Sequence, residues 1–514
     1  MPIFPNAQGI VINNSQFTDQ LINVSNGPTG IDILLNASLP DAAHDSSARD
    51  HAPRCFPGTR EQYVEDAVQW AIPAINDTPL PIFRMKGPAG VGKSAVAQTS
   101  VEEVKARGKL GAAFFFSING RDQLARFVTT IAYQLSTNYP DYQDLIERKI
   151  RRDRTLVHKA LASQFHELIV QPLQELENSG KGIGKKVPIF VDGLDECEDE
   201  SAQCTIIEIV ASSVRNGNLP LCWAFFSRPE PHIEATFSRP DISTLSHTVV
   251  LPISRDSDGD IEIYLRAGFE NILRRRDIRM DVPWPPEDAI KLLVKTSGGL
   301  FIYVASVLRF IDQAGPLGPE GPLLAVLAAI SHKGAATAPF ANLDAFYMLI
   351  LGRIPEELLP YVRLLLSMLC HLNSPQNTII FANLLRLSKM EQQTVCNRLS
   401  AVLQVRDPNQ AFDVDPDIDT SCPYLENPRL SHEDIGKLSA SVFGRLGGQI
   451  YFYHKSFRDF LIDPRRSGFS WLNPPAMHEL LFEHCFRLEL EYERAPRIWG
   501  SGVSPSFPKS PFSL

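Results

Sequence analysis

Gly87-Pro88-Ala89-Gly90-Val91-Gly92-Lys93-Ser94 is the stretch that decides how this chain folds. It fits the pattern G-x-x-x-x-G-K-[ST]. In such a loop the glycines let successive backbone amides turn inward around phosphate oxygens, and the lysine reaches the β- and γ-oxygens. The closing hydroxyl, here that of Ser94, is placed to sit on a magnesium ion. A helix beginning at the same point aims its positive end at the phosphates. The flanks agree with this reading. Pro81–Lys86 is a short apolar run that predicts a strand, and Ser94–Ala106 carries a helical pattern closed by Gly108.

Outward from the loop, apolar runs alternate with helical patterns. Strands are expected at Leu110–Ser117, Val187–Val191 and Leu221–Phe226, and helices at Glu61–Ala71, Leu124–Leu135, Leu161–Leu176 and Thr205–Val214. Apolar strands separated by amphipathic helices imply a parallel sheet covered on both faces. The fold class is therefore α/β, a three-layer P-loop NTPase arrangement. Beyond Leu251 the strands largely disappear, and helical patterns run from Ile261 to Leu403. A polar stretch rich in Asp and Pro, Asp407–Ser431, reads as a long loop. Ile450–His454 then reads as a short strand leading into a helix at Ser456–Ile462, as at the end of a winged helix.

The expected divisions are 1–50, a β-prone or disordered segment and linker; 51–252, the nucleotide-binding domain; 253–345, a helical lid; 346–470, a winged-helix-like domain; and 471–514, a C-terminal helix and tail. Gly9–Asn26, rich in Asn and β-branched residues, reads as a disordered or sheet-edge tail. Its pattern would also permit cross-strand stacking.

Composition narrows the class. The chain has 514 residues, 44% of them hydrophobic, which exceeds what one core usually supports. A net charge of −9 spread along the sequence argues against a nucleic-acid grip by bulk electrostatics. The basic clusters Arg151–Arg154 and Arg274–Arg276 read as solvated helix faces. Eight cysteines lie without a CxxC pair, and no secretory signal opens the chain. Reduced thiols and a cytoplasmic location are the simplest expectation. Leu300–Ile311 is too short for a membrane span and carries Arg309, so no membrane span is expected. His478 and Cys485 lie a heptad apart, but no fourth ligand is evident, and an ordinary helix face is the better reading.

Two further strands end in charged groups. Val187-Pro188-Ile189-Phe190-Val191-Asp192 delivers a carboxylate to the edge of the sheet where ligands bind. Asp192 is the candidate to hold magnesium opposite Ser94. Asp195 and Glu196 follow, and either could orient or deprotonate an attacking water, with Glu196 the preferred base. Leu221-Cys222-Trp223-Ala224-Phe225-Phe226-Ser227-Arg228-Pro229 reads as another buried strand ending in a cation, and Arg228 is a candidate to sense or neutralise γ-phosphate charge. The catalytic candidates are thus Lys93, Asp192, Asp195, Glu196 and Arg228.

Together these residues resemble a family. The loop Gly87–Ser94, the run Val191-Asp192-Gly193-Leu194-Asp195-Glu196-Cys197 and Ser227-Arg228-Pro229-Glu230 look like the NACHT domain, in particular the nephrocystin-like NACHT proteins of fungi within the STAND class of signalling NTPases. Arg54–Glu61 resembles the segment that the family carries before the loop, where its adenine end lies, which implies nucleotide contacts at Thr59 and Arg60. Ser297–Ile302 resembles the lid motif. Tyr453-His454-Lys455-Ser456-Phe457-Arg458-Asp459-Phe460 resembles the winged-helix ending, and His454 inherits a β-phosphate contact by that resemblance alone.

The resemblance implies ATP or ADP with Mg2+, homo-oligomerisation on activation, and an unknown protein effector or sensor. Family members commonly carry WD, ankyrin or tetratricopeptide repeats, and no such period is visible up to Leu514. Sensing is then lost, supplied by a partner, or missing from a partial chain. An NTP-driven remodelling ATPase or nucleotide kinase, and a scaffold with a structural nucleotide, remain alternatives, because P-loop sheets host all of them.

Overall fold

In the computed structural model the chain is described over residues 28–473, leaving aside 76, 185, 198, 217–218, 281, 314–317, 334–338, 372–375, 386 and 407–447, together with 479 and 482. The expectations for Gly9–Asn26, Asp407–Ser431 and the His478–Cys485 face lie outside the described residues.

Five strands form one parallel sheet: β1 (Ile82–Lys86), β2 (Ala112–Phe115), β3 (Val187–Asp192), β4 (Leu221–Ser227) and β5 (Ser246–Val250), in the spatial order β2-β3-β4-β1-β5. Period-two alternation assigns their side chains to two cores. Phe83, Met85, Phe115, Phe190, Ala224 and Phe226 face one side. Ile82, Phe114, Ile189, Val191, Trp223 and Phe225 face the other. Both faces are buried, so the central strands read as near-continuous apolar runs. β5 departs from that rule. It is an edge strand whose Ser246, His247 and Thr248 are polar and partly or fully exposed, so it carries no apolar run to find.

Residues 28–50 overturn the expectation of a loose leading segment. α1 (Gly30–Ala37) opens with a capping box in which Thr29 Oγ1 accepts from the Asp32 N–H and the Asp32 carboxylate accepts from the Thr29 N–H. It docks on the helices Phe127–Asn138 and Pro140–Arg152. Ile31 N–H donates to the Glu147 carboxylate at 2.7 Å, and Ser38 Oγ donates to the Thr129 carbonyl at 3.0 Å. Leu34 is fully buried. This part of the chain belongs to the sheet domain because tertiary packing supplies the apolar mass it lacks alone.

After β5 come the helices Asp258–Arg275, Glu287–Ser297, Phe301–Ile311 and Glu320–Lys333, the expected lid. The helix Pro339–Gly352 runs across the boundary expected at 345–346, so that division falls inside an element. The last part combines the helices Leu359–His371, Thr378–Leu385 and Lys389–Arg398 with a three-stranded antiparallel sheet. Its strands β6 (Gln376–Asn377), β7 (Leu403–Arg406) and β8 (Gln449–Phe452) stand in the order β6-β8-β7, and the helix Lys455–Ile462 follows. That is a winged-helix-like arrangement. One hydrophobic cluster runs without a break from the β1 face of the large sheet through the lid into Phe452, Phe457 and Phe460. No described helix is long and apolar enough to cross a membrane.

Candidate functional site

Strand register assembles the site. Lys86 pairs with Ser227 and Asp192 with Phe226, so the segments leaving β1, β3 and β4 start at one rim. The loop 87–92 leaves there and becomes α2 (Lys93–Ala106), with Gly92 at the N-cap at φ 104°. The N–H groups of Ala89 to Gly92 have no acceptor among the described residues. The N–H groups of a helix's first turn have none within the helix either. Lys93 Nζ donates to the carbonyls of Gly87 at 2.7 Å and Pro88 at 2.9 Å. Burial pushes this ammonium down to about 8, with Asp195 opposing and Arg228 adding to the shift. Unspent amides and a desolvated ammonium at one rim suit a polyphosphate, whose charge would restore what burial removes.

The acids follow the same logic. Asp192 is 4% exposed, and its Oδ1 has no hydrogen-bond partner among the described residues. Burial pushes its carboxyl up to about 6, against a hydrogen bond from Ser94 and the charges of Arg49 and Lys93. One orphaned carboxylate oxygen beside one hydroxyl is the donor set that magnesium takes when phosphate and water supply the remaining ligands. No group of three His, Cys, Asp or Glu residues suited to a metal occurs among the described residues. Glu196 is raised by burial and by the neighbouring Asp195, and it accepts from the Ile118 N–H at 3.1 Å.

Asp195 and Arg228 act electrostatically on Lys93, but their side chains are paired with one another and with the winged-helix-like element. The Arg228 N–H donates to Asp195 Oδ1 at 3.0 Å, Nε lies 3.2 Å from Asp195 Oδ2, and Nη1 lies 2.6 Å from Asp459 Oδ2. Lys455 Nζ donates to the Asp195 carbonyl at 2.8 Å. Burial alone would raise Asp195, but Lys455, Arg228 and Lys93 together hold it below its ordinary value. Asp195 therefore sits in an ion-pair network with the winged-helix-like element. Lys455 and Asp459 were missed, although they lie four residues apart in the run quoted around His454 and so share one helix face.

His454 caps the helix Lys455–Ile462, its Nδ1 accepting from the Ser456 N–H at 3.1 Å. Burial pushes the imidazole down to about 3, helped by Arg228, Lys93 and Arg309. The ring is neutral, and because Nδ1 accepts, Nε2 carries the proton and is left as a donor. Asn119, also unanticipated, exchanges two hydrogen bonds with the backbone of Phe452, at 3.0 and 3.2 Å.

Thr59 and Arg60 lie on the lid side. Thr59 Oγ1 donates to the Phe56 carbonyl at 2.7 Å. Arg60 reaches Ser257 Oγ at 2.8 Å and the Val91 carbonyl at 3.1 Å. The loop itself is capped by the lid. A Cβ on Gly90, which stands at φ +80°, would land inside the side chain of Ile302.

Residues 58–228 match the family model described as Nephrocystin 3, N-terminal. That segment spans the phosphate loop, the Asp192 strand and Arg228, and so supports the nephrocystin-like resemblance over this part of the chain. No curated protein matches. Among solved structures, the Aeropyrum pernix ORC1 protein in complex with DNA is 13% identical at a TM-score of 0.34, covering 86% of this chain and 96% of its own. Cdc6p from Pyrobaculum aerophilum is 14% identical at 0.33, covering 72% and 92%. AMPPCP-bound DnaA from Aquifex aeolicus is 12% identical at 0.29, covering 67% and 86%. Similarity this low assigns no function to the chain.

Proposed function

We propose that the chain is a nucleotide-dependent switch of the NACHT type, binding ATP or ADP with Mg2+ at the rim of the large sheet. The observation that carries the reading is the set of unspent donors in the loop 87–94, beside an orphaned carboxylate oxygen, beneath a lid and a winged-helix-like element. The amides of 89–94 and Lys93 would hold the phosphates, while Ser94 and Asp192 would hold the ion. Magnesium would neutralise phosphate charge. His454 Nε2–H would donate to a phosphate oxygen.

Glu196 would take the proton of an attacking water, slowly, because Ile118 already occupies one carboxylate oxygen and burial favours the protonated form. Arg228 is paired with Asp459, so a γ-phosphate would have to compete with that carboxylate for the guanidinium. A nucleotide shifts the arrangement only by binding its two forms unequally, and this competition supplies such a difference. Release of the winged-helix-like element would expose a surface for homo-oligomerisation and for an effector or sensor protein.

Native mass measurement of the purified chain with ATP, ADP or neither tests the reading. Nucleotide-dependent assembly that Lys93→Ala lacks is expected. Identical masses in every condition would contradict it.

A further inference from the structure

The Ile302 N–H of the lid, and the Arg60 guanidinium that is itself bonded to Ser257 at the start of the lid, each hold one carbonyl of the loop 87–92. The Ile302 N–H donates to the Gly90 carbonyl at 3.1 Å. Arg60 Nη2 donates to the Val91 carbonyl at 3.1 Å. In a trans peptide the carbonyl and the N–H point opposite ways. The Gly90 carbonyl shares its peptide plane with the Val91 N–H, and the Val91 carbonyl shares its plane with the Gly92 N–H. Holding both carbonyls from the lid side turns both N–H groups away from the lid, and neither has an acceptor among the described residues.

Arg60 is itself held in place. Its residue adopts φ 56°, its own N–H donates to Asp260 Oδ2 at 2.9 Å, and its guanidinium lies 4.8 Å from the centroid of the Phe301 ring. The side chain bonds to Ser257 Oγ as well as to the loop. It is 7% exposed, with Nη1 on Ser257 and Nη2 on the Val91 carbonyl, while its Nε has no hydrogen-bond partner among the described residues. The resemblance had implied a nucleotide contact for this residue. The observed partners are Ser257, Asp260, Phe301 and Val91.

We infer that Arg60 is a positioning residue for the phosphate loop, and that with the Ile302 N–H it couples lid docking to the affinity of the loop for the terminal phosphates of a nucleoside diphosphate or triphosphate. The inference rests on the proposed reading of that loop as a phosphate site. Two N–H donors pre-aimed by the lid need no reorganisation when an anion arrives. Linkage makes the effect reciprocal, so an occupied loop favours the docked lid by the same factor.

Calorimetric titration of the full chain with magnesium pyrophosphate and with magnesium ADP tests it, because pyrophosphate reports on the loop without a base. The variants are Arg60→Gln, Arg60→Lys and Ile302→Pro. Position 302 lies in the first turn of its helix, where proline is tolerated; the substitution removes the N–H that reaches Gly90 and trims the side chain packed over it. Arg60→Gln and Ile302→Pro are each expected to weaken pyrophosphate about tenfold and ADP by the same factor. Arg60→Lys is expected to recover part of the loss, since an ammonium still reaches one acceptor.

Weaker ADP with unchanged pyrophosphate in Arg60→Gln would overturn the inference by placing the residue at the base. Wild-type affinity for pyrophosphate in both Arg60→Gln and Ile302→Pro would overturn it outright. If Arg60→Gln does not fold, Ile302→Pro decides alone. A wild-type chain that binds neither ligand would instead remove the proposed function beneath it.

Discussion

The lid and the winged-helix-like element reach the same rim of the sheet by different chemistry. The lid comes in on packing and backbone hydrogen bonds: Ile302 fills the space over Gly90, and its N–H meets the Gly90 carbonyl. The winged-helix-like element comes in largely on charge, with Asp459 on Arg228 and Lys455 on Asp195, beside the amide of Asn119 on Phe452. Close packing is bistable and indifferent to salt. Ion pairs that keep some solvent contact are screened by salt and open to competition from another anion. A polyphosphate bound at this rim as proposed would leave the first contact intact and compete directly with the second.

Gly90→Val attacks the packed contact, and the largest effect is expected there. The added side chain meets Ile302 in a backbone conformation that β-branched residues avoid, costing about 3 kcal/mol or more. Thermal unfolding should show it, together with faster hydrogen exchange at the Ile302 amide. Wild-type stability would mean that the lid does not rest on the loop.

Asp192→Asn probes the floor of the site. The wild-type carboxyl is pushed up to about 6 in the fold, so its ionised form destabilises the empty protein above that pH, and the penalty disappears as pH falls toward 3.8. The variant should be more stable than wild type at pH 7.5 by on the order of 3 kcal/mol. The difference should close by about pH 4. Any magnesium dependence of nucleotide binding should be lost at the same time. A variant less stable than wild type at pH 7.5 would contradict the burial account.

Asp459→Asn tests the ionic contact, with the smallest effect, about 1–2 kcal/mol of docking measured by hydrogen exchange across β8 and the helix Lys455–Ile462. Raising salt from 0.1 to 0.5 M should move the wild type toward the variant while leaving exchange in the lid helix Phe301–Ile311 unchanged. Equal salt sensitivity in both regions would erase the distinction between them.

What was legible in the sequence follows from how local the cause is. The turn at 87–92, the strand that ends at Asp192, the strand that starts at Leu221 and the helix after the turn are written in short-range pattern, and the structure forms these elements within a residue of the reading. β5 was not legible because an edge strand carries polar residues where a central strand is apolar. α1 was not, because its stability comes from Glu147, Thr129 and Thr130, about a hundred residues away along the chain. Arg228 was legible as a charged residue at a strand end, but its partner Asp459 lies 231 positions further on. Only the shared helix face of Lys455 and Asp459, next to His454, hinted at it. Arg60 was marked by resemblance as a nucleotide contact, and its bonds to Val91 and Ser257 appear only once the lid has folded over the loop.

Titration of wild type and Lys93→Ala with ADP, in magnesium and again in a chelator, tests the central claim most directly. Saturable binding by wild type that strengthens with magnesium, and weakens at least about a hundredfold in Lys93→Ala, is the expected result. Equal affinity in the two proteins, or no binding by wild type in either condition, would contradict it.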